Sequence, residues 1–210
     1  MNPWLSIPFQ DYEQHMSHHD VQQYQCLNSI TKKKVTAYDP NSILIFGACT
    51  GNGFEHLGSA NEIYAVDINN NYLQVCKKRY HYLGSKLKCI CADVDKDIIP
   101  ISQHSIELVI CHLFLEYVNW EKLLPKVRDM LSTPGIFNVV LQKEDKKNSF
   151  VSDTQINSLK LLSQFAHIVE AKQIADSGCF ELLSSDLYSM PNGKILESLD
   201  FCSKRTQIRR

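Results

Sequence analysis

Three glycines and two acids, spaced along a run of short apolar segments, carry the chemistry legible in this chain. Ser42-Ile-Leu-Ile-Phe-Gly47-Ala48-Cys49-Thr-Gly51-Asn-Gly53 sets a buried-type strand directly before a glycine-rich bend. A continuous apolar run of this kind suits a parallel sheet covered on both faces. The bend lets backbone come close to a ligand because no Cβ intervenes, and a plain tight turn is the competing reading. Glu62-Ile-Tyr-Ala-Val-Asp67 is a second apolar run ending in an acid, 20 residues after Gly47. In nucleotide-binding α/β units an acid at that separation tips the second strand and accepts hydrogen bonds from ribose hydroxyls. The alternative is a role in starting the next helix, for which Asn69 to Asn71 also offer capping side chains.

Lys86-Leu-Lys-Cys-Ile-Cys-Ala-Asp93 is a third strand, again ending in an acid. Ligands of open parallel sheets bind outside the carboxyl ends of the strands, so Asp67 and Asp93 should converge on one crevice. There Asp93 would meet an adenine amino group, with the Val94 amide near the ring. The glycine spacing separates two cofactors. A dinucleotide pattern counted from Gly47 needs glycine at 47, 49 and 52, and only the first is present. The pattern of S-adenosylmethionine (AdoMet) sites needs 47, 49 and 51, and only Cys49 breaks it. AdoMet is the better match.

The elements that must hold these residues follow from periodicity and punctuation. With 210 residues, 44% of them hydrophobic, the chain suits one α/β domain spanning 1–210. Lys+Arg total 22 against 23 Asp+Glu, which gives no electrostatic case for a nucleic-acid partner. Lys32 to Lys34 and the basic tail from Lys204 read as solvated ends. No apolar run approaches the ~20 residues of a membrane span, and no signal-peptide pattern opens the chain. Eight cysteines include no Cys-x-x-Cys pair; Cys91, Cys111 and Cys202 lie in predicted strands and read as small buried hydrophobes. A reduced, cytoplasmic chain fits, as monomer or homodimer.

Residues 1–40 precede the first strand as a helical lid or substrate segment in which Tyr12 and His15 can close over a ligand, and Val21 to Ile30 should pack on the sheet. His15 and His19 have the one-turn spacing of helix-borne metal ligands, but no cysteine or carboxylate pair joins them, so no metal is expected. Further on, Phe54 to Leu57 could open a helix. A helix from Tyr72 is stopped at Gly84, and Ile106 to Cys111 is the fourth strand. A helix runs from about Trp120 to Leu131, then a strand over Ile136 to Gln142. Residues 143–148 form a charged loop, and Asp95 and Asp97 face solvent. Helices are expected over Thr154 to Phe165 and Ala171 to Ser177. Strands Phe180 to Tyr188 and Ile195 to Cys202 flank the turn Pro191-Asn192-Gly193. The sum is a Rossmann-like, doubly wound α/β fold over residues 41–210. Its seven-stranded sheet is mostly parallel and closes with a C-terminal antiparallel hairpin.

Taken together, these residues resemble the class I AdoMet-dependent methyltransferases, specifically the small bacterial type 11/12 kind, over roughly residues 40–142. The resemblance is carried by Ile43 to Gly53, Ala65-Val-Asp67, Cys91-Ala-Asp93, Ile106 to Ile110, Leu115-Glu-Tyr-Val118, and Leu131-Ser-Thr-Pro-Gly-Ile-Phe. It implies AdoMet bound by Gly47, Ala48, Cys49, Gly51, Asp67, Ile68, Asp93, Val94, His112, Tyr12 and His15. It also implies His112, Glu116 and Tyr117 as candidates for catalysis on a small-molecule acceptor, although Glu116 could equally brace the next helix. Two positions depart from the family: Ile45 stands where an acid is usual, and Cys49 where glycine is. A binding protein without catalysis is therefore the principal alternative, and a nicotinamide-dependent oxidoreductase the lesser one.

Overall fold

The computed structural model describes residues 2–143 and 149–204. Its strands are β1 (Ser42–Phe46), β2 (Glu62–Asp67), β3 (Leu87–Cys91), β4 (Ile106–His112), β5 (Leu131–Gln142), β6 (Phe180–Ser189) and β7 (Ile195–Ser203). They form one sheet in the order β3-β2-β1-β4-β5-β7-β6. β1 pairs in parallel with β2 and β4, β2 with β3, and β4 with β5, whereas β7 runs antiparallel to both β5 and β6. The chain order reverses between β1 and β4, and that switch point is where such sheets open a ligand crevice.

Burial explains why the central strands are mostly apolar. Leu44 and Phe46 of β1, Val109 and Cys111 of β4, and Phe137, Val139 and Leu141 of β5 face one core. Leu123, Leu124 and Val127 of α4 (Trp120–Met130) cover it. The alternate residues Ile43, Ile45, Ile63, Ala65, Leu108 and Ile110 face the other core, against Leu73 and Cys76 of α3 (Asn70–Arg79) and Val35 of α2 (Gln23–Tyr38). Successive side chains of a strand point to opposite faces, so a sheet sandwiched between helices favours apolar residues on both; Glu107 of β4 and the buried Asn138 of β5 are exceptions. Asn69 caps α3 by accepting from the Asn71 amide, and Asn119 caps α4 by accepting from that of Lys122.

Several local expectations are corrected. No α-helix follows the glycine bend; Phe54–His56 makes only a 3-10 turn. α2 packs against this stretch, with the Asn28 amide donating to Glu55 Oε1 at 2.6 Å. α3 ends at Arg79, and a 3-10 segment covers His81–Lys86. β5 begins at Leu131 rather than Ile136. Thr154 to Phe165 is not one helix but a 3-10 turn (Asn157–Leu159) and the short α5 (Leu162–Phe165). Gln155 there takes a left-handed φ of 61°, while Thr154 and Ser158 bind side chains of α1 (Phe9–Ser17). Ala171–Asp176 forms α6. All eight cysteines are free; Cys111 is buried and Cys202 half-buried, but Cys91 on the edge strand is exposed. Most of the charged loop (144–148) and of the basic tail (205–210) lies outside the described residues.

Candidate active site

The carboxyl ends of β1 to β5 surround a cavity with an empty volume of about 1080 Å³, its open mouth included. Gly47 follows β1, Asp67 and Ile68 end β2, Ala92 and Asp93 follow β3, His112 and Leu113 end β4, and Gln142 ends β5; all line it. The strand-end acids therefore meet in one crevice, as their sequence positions suggest. Asp67 is buried at 7% exposure. Its Oδ2 accepts from the Cys49 amide and its Oδ1 from the Asn69 amide, both at 2.8 Å. Burial raises its pKa, and the amides oppose that shift. Asp93 is tied within its own loop: Oδ2 pairs with Lys96 at 2.6 Å and Oδ1 accepts from the Asp95 amide. Asp95, expected to face only solvent, is exposed at the cavity wall and accepts from the Asn119 amide. Val66, Ile68, Ala92, Val94 and Phe114 add an apolar slot beside these acids.

Backbone conformation at the bend is unusual in two respects. Gly47 has φ +63°, and a Cβ there would lie 2.6 Å from the Phe114 ring, so glycine is required by the chain's own packing. Cys49 has φ +46°, a left-handed value that costs a non-glycine residue on the order of 1 kcal/mol. Its thiol sits between Tyr12 and Asp67 and hydrogen-bonds with both. Leu113, also on the wall, is left-handed at φ +50°. Ile45 lies in the core rather than in the cavity.

The N-terminal segment roofs this cavity. Trp4, Tyr12, His15 and Met16 line it, and the Trp4 ring meets Tyr12 and Tyr117 edge-on at centroid distances of 5.8 and 5.2 Å. One rim is fastened by the Tyr72 hydroxyl donating to the Ile7 carbonyl, the Asn69 amide side chain to the Trp4 carbonyl, and Arg79 pairing with Glu13 at 2.7 Å. The Thr50 hydroxyl also donates to Glu13. The other rim is fastened by His15 Nδ1 to Thr154 Oγ1 at 2.8 Å and Ser158 Oγ to Asp11 at 2.6 Å. Burial, with Lys194 nearby, lowers the His15 pKa to about 4. Being in the wall, His15 does not join the exposed group of His18, His19 and Asp20, whose potential ligand atoms lie within 4.8 Å of one another.

Three sequence-derived candidates lie off the wall. Ala48 donates its amide to the Val66 carbonyl, and Gly51 packs under Tyr80 and Cys76. Glu116 is fully buried behind the cavity: Oε1 accepts from the Gln142 amide, Oε2 has no partner among the described residues, and burial raises its pKa to about 7. Tyr117 and His112 do line the cavity. Burial raises the Tyr117 pKa beyond the usual phenol range. Residues that motif reading left out include Gln23, Phe114, Gln142, Phe150 and Lys194. Gln23 and Lys194 come from segments far from any motif, and only burial of polar side chains marks them.

A family model described as a methyltransferase domain matches residues 44–139. Over those residues, somewhat under half of the chain, the protein is similar to a methyltransferase domain. An uncharacterised protein of Methanocaldococcus jannaschii is 26% identical over 126 residues, 60% of this chain; the match spans about half of that relative's length (52%). The N-methyltransferase NodS of Bradyrhizobium japonicum, solved with S-adenosylhomocysteine (AdoHcy), superposes with a TM-score of 0.68 at 10% identity, covering 98% of this chain and 100% of that one. Magnesium protoporphyrin IX methyltransferase from Synechocystis, also with AdoHcy, gives 0.68 at 11% identity, with 96% of each chain covered. The [4+2]-cyclase SpnF gives 0.67 at 12% identity, covering 87% and 83%. The fold thus also hosts a cyclase, and the chemistry of this chain must be argued from its own site.

Proposed function

We propose that the protein transfers a methyl group from AdoMet to a small-molecule acceptor. The observation that carries this reading is the buried Asp67 carboxylate at the tip of β2, which opens onto an apolar slot inside a methyltransferase domain. The slot fits an adenosine: Asp67 accepts from ribose hydroxyls, while Ile68, Ala92 and Val94 cover the base beside Asp93. AdoMet, when bound, supplies a methyl group already activated on a sulfonium, so the protein's part is alignment and exclusion of water. Trp4, Tyr12 and Tyr117 exclude water from above. His112 lies on the floor, at the end of β4. The aromatic roof suits a planar acceptor, and two proteins of this fold act on such rings: magnesium protoporphyrin IX methyltransferase and 1,6-didemethyltoxoflavin-N1-methyltransferase.

A second reading, a binding protein without turnover, is favoured by Ile45 and Cys49, which leave the amino-acid end of the cradle without its acid and add a side chain to it. Among the described residues no helix is long and apolar enough to cross a membrane. We place the chain in the cytoplasm as a single domain, monomer or homodimer. Calorimetry with AdoMet, AdoHcy and NAD tests the reading. Micromolar AdoHcy binding is expected; silence for AdoMet and AdoHcy would remove the enzyme, and NAD binding would replace it.

A further inference from the structure

Behind the cavity floor, a chain of buried polar groups runs from α2 to His112. Lys34 and Asp200 pair at 2.6 Å with side chains only 4% and 3% exposed. Asp200 Oδ2 also accepts from the Tyr38 hydroxyl at 2.8 Å and the Ser184 hydroxyl at 2.9 Å. Burial pushes the Asp200 pKa up, but Lys34 and Tyr38 outweigh burial and hold it below the ordinary range, so it is a carboxylate. Asp200 Oδ1 takes a hydrogen bond from Asn138 Nδ2 at 2.7 Å, and the same amide nitrogen reaches the Leu199 carbonyl at 3.2 Å.

This geometry fixes a direction. A carboxylate and a carbonyl only accept, so the Asn138 NH2 must face them and its Oδ1 must face His112. Oδ1 lies 2.7 Å from His112 Nε2 and only accepts, which places the imidazole proton on Nε2. Burial lowers the His112 pKa to about 4, so the ring is neutral and its lone pair is on Nδ1. Among the described residues Nδ1 has no hydrogen-bond partner, and the sole fully enclosed side-chain atom without one is Glu116 Oε2. His112 lines the cavity, so Nδ1 is open to it.

We propose that Asn138, held by Asp200 and Lys34, is a positioning residue that locks His112 as the Nε2–H tautomer, so that Nδ1 receives an acceptor whose nucleophilic atom bears a hydrogen. The acceptor class is a hydroxyl or N–H compound. This rests on the methyl-transfer reading. As the nucleophile's electron pair forms the bond to the methyl carbon, the carbon–sulfur bond breaks and its pair stays on sulfur. The acceptor's hydrogen passes as a proton to His112 Nδ1, and water takes it when the cavity opens. An acceptor without such a hydrogen would bury Nδ1 unpaired.

Two-bond proton–nitrogen correlation spectra of histidine-labelled protein distinguish the neutral tautomers, with His112 assigned through His112→Gln. The cofactor-free wild type should show a single Nε2–H form, and Asn138→Ala should lose that single form. An Nδ1–H ring in the wild type overturns the lock even if both Asn138→Ala and Asp200→Asn fail to fold, and an unchanged ring in folded Asn138→Ala overturns the role of Asn138. Matched fragments, phenol with anisole and indole with N-methylindole, are then added to protein saturated with AdoHcy. Only the protic members should shift the Nδ1 resonance; equal shifts from the methylated members, or none from any fragment, overturn the acceptor class. Failure of AdoHcy itself to bind overturns the methyl-transfer reading, independently of the cofactor-free spectra.

Discussion

Replacing Glu116 by glutamine should change how stability depends on pH, in a direction the structure dictates. Glu116 is fully enclosed, one of its oxygens has no partner among the described residues, and burial lifts its pKa from 4.5 to about 7 against the opposing Gln142 amide. Below 4.5 both the folded and unfolded chains keep the proton, and ionisation contributes nothing. Between 4.5 and about 7 the unfolded chain releases its proton first, so stability falls as pH rises. Above about 7 the loss is constant. A difference of 7 − 4.5 at roughly 1.4 kcal/mol per pH unit amounts to about 3 kcal/mol. His15 and His112, both lowered to about 4 by burial, act in the opposite sense: below the ordinary histidine value of 6.5 they cost stability as pH falls. They are common to both proteins and cancel in the comparison. Glutamine also places an N–H group where Oε2 lies, which gives an offset independent of pH. Urea unfolding of wild type and Glu116→Gln between about pH 5 and pH 8 reads the difference directly. The variant should gain on the wild type by about 2–3 kcal/mol across that range. A difference flat to within about 1 kcal/mol would refute the buried, proton-retaining carboxyl.

Further outcomes follow from other contacts. Asp67→Ala leaves the Cys49 and Asn69 amides without their acceptor; AdoHcy affinity measured by calorimetry should fall by about 1–3 kcal/mol, and an unchanged value removes Asp67 from the site. Lys34→Met strands Asp200 in the interior and should cost about 3–5 kcal/mol in urea unfolding. Arg79→Ala opens a half-exposed pair and should change global stability by less than about 1 kcal/mol, while amide exchange over Phe9–Ser17 accelerates. Cys49→Gly removes a side chain from a left-handed position and from the face of Asp67, so AdoHcy should bind at least as tightly as to wild type.

The central strands were legible because a sheet covered on both faces favours long apolar runs, and Ile43 to Phe46 or Leu108 to Cys111 admit few other readings. The closing hairpin was legible from Pro191-Asn192-Gly193. Local signals failed where tertiary partners decide. Phe54-Glu-His-Leu57 looks like a helix opening, yet the space it would need is taken by α2. The apolar positions of Thr154 to Phe165 suit a helix, and Leu159 and Leu162 are buried as that spacing implies. Thr154 and Ser158 nevertheless bind α1, and the backbone breaks at Gln155. Asp67 and Asp93 could be placed because one ends β2 and the other follows β3 by two residues, whereas Glu116, one turn past β4, points behind the wall. The links from His112 to Asn138, Asp200 and Lys34 span 26, 62 and 166 residues of sequence. No pattern in one stretch of sequence can reveal such a chain.

The clasps at both rims of the N-terminal segment have a kinetic consequence. Glu13 with Arg79 and Thr50, Tyr72 with Ile7, and His15 with Thr154 would have to part for the N-terminal roof to lift off the cavity. Those contacts would form a turnstile, and any turnover that needs the roof to lift would be paced by how often it swings as well as by how fast a bond is made inside it.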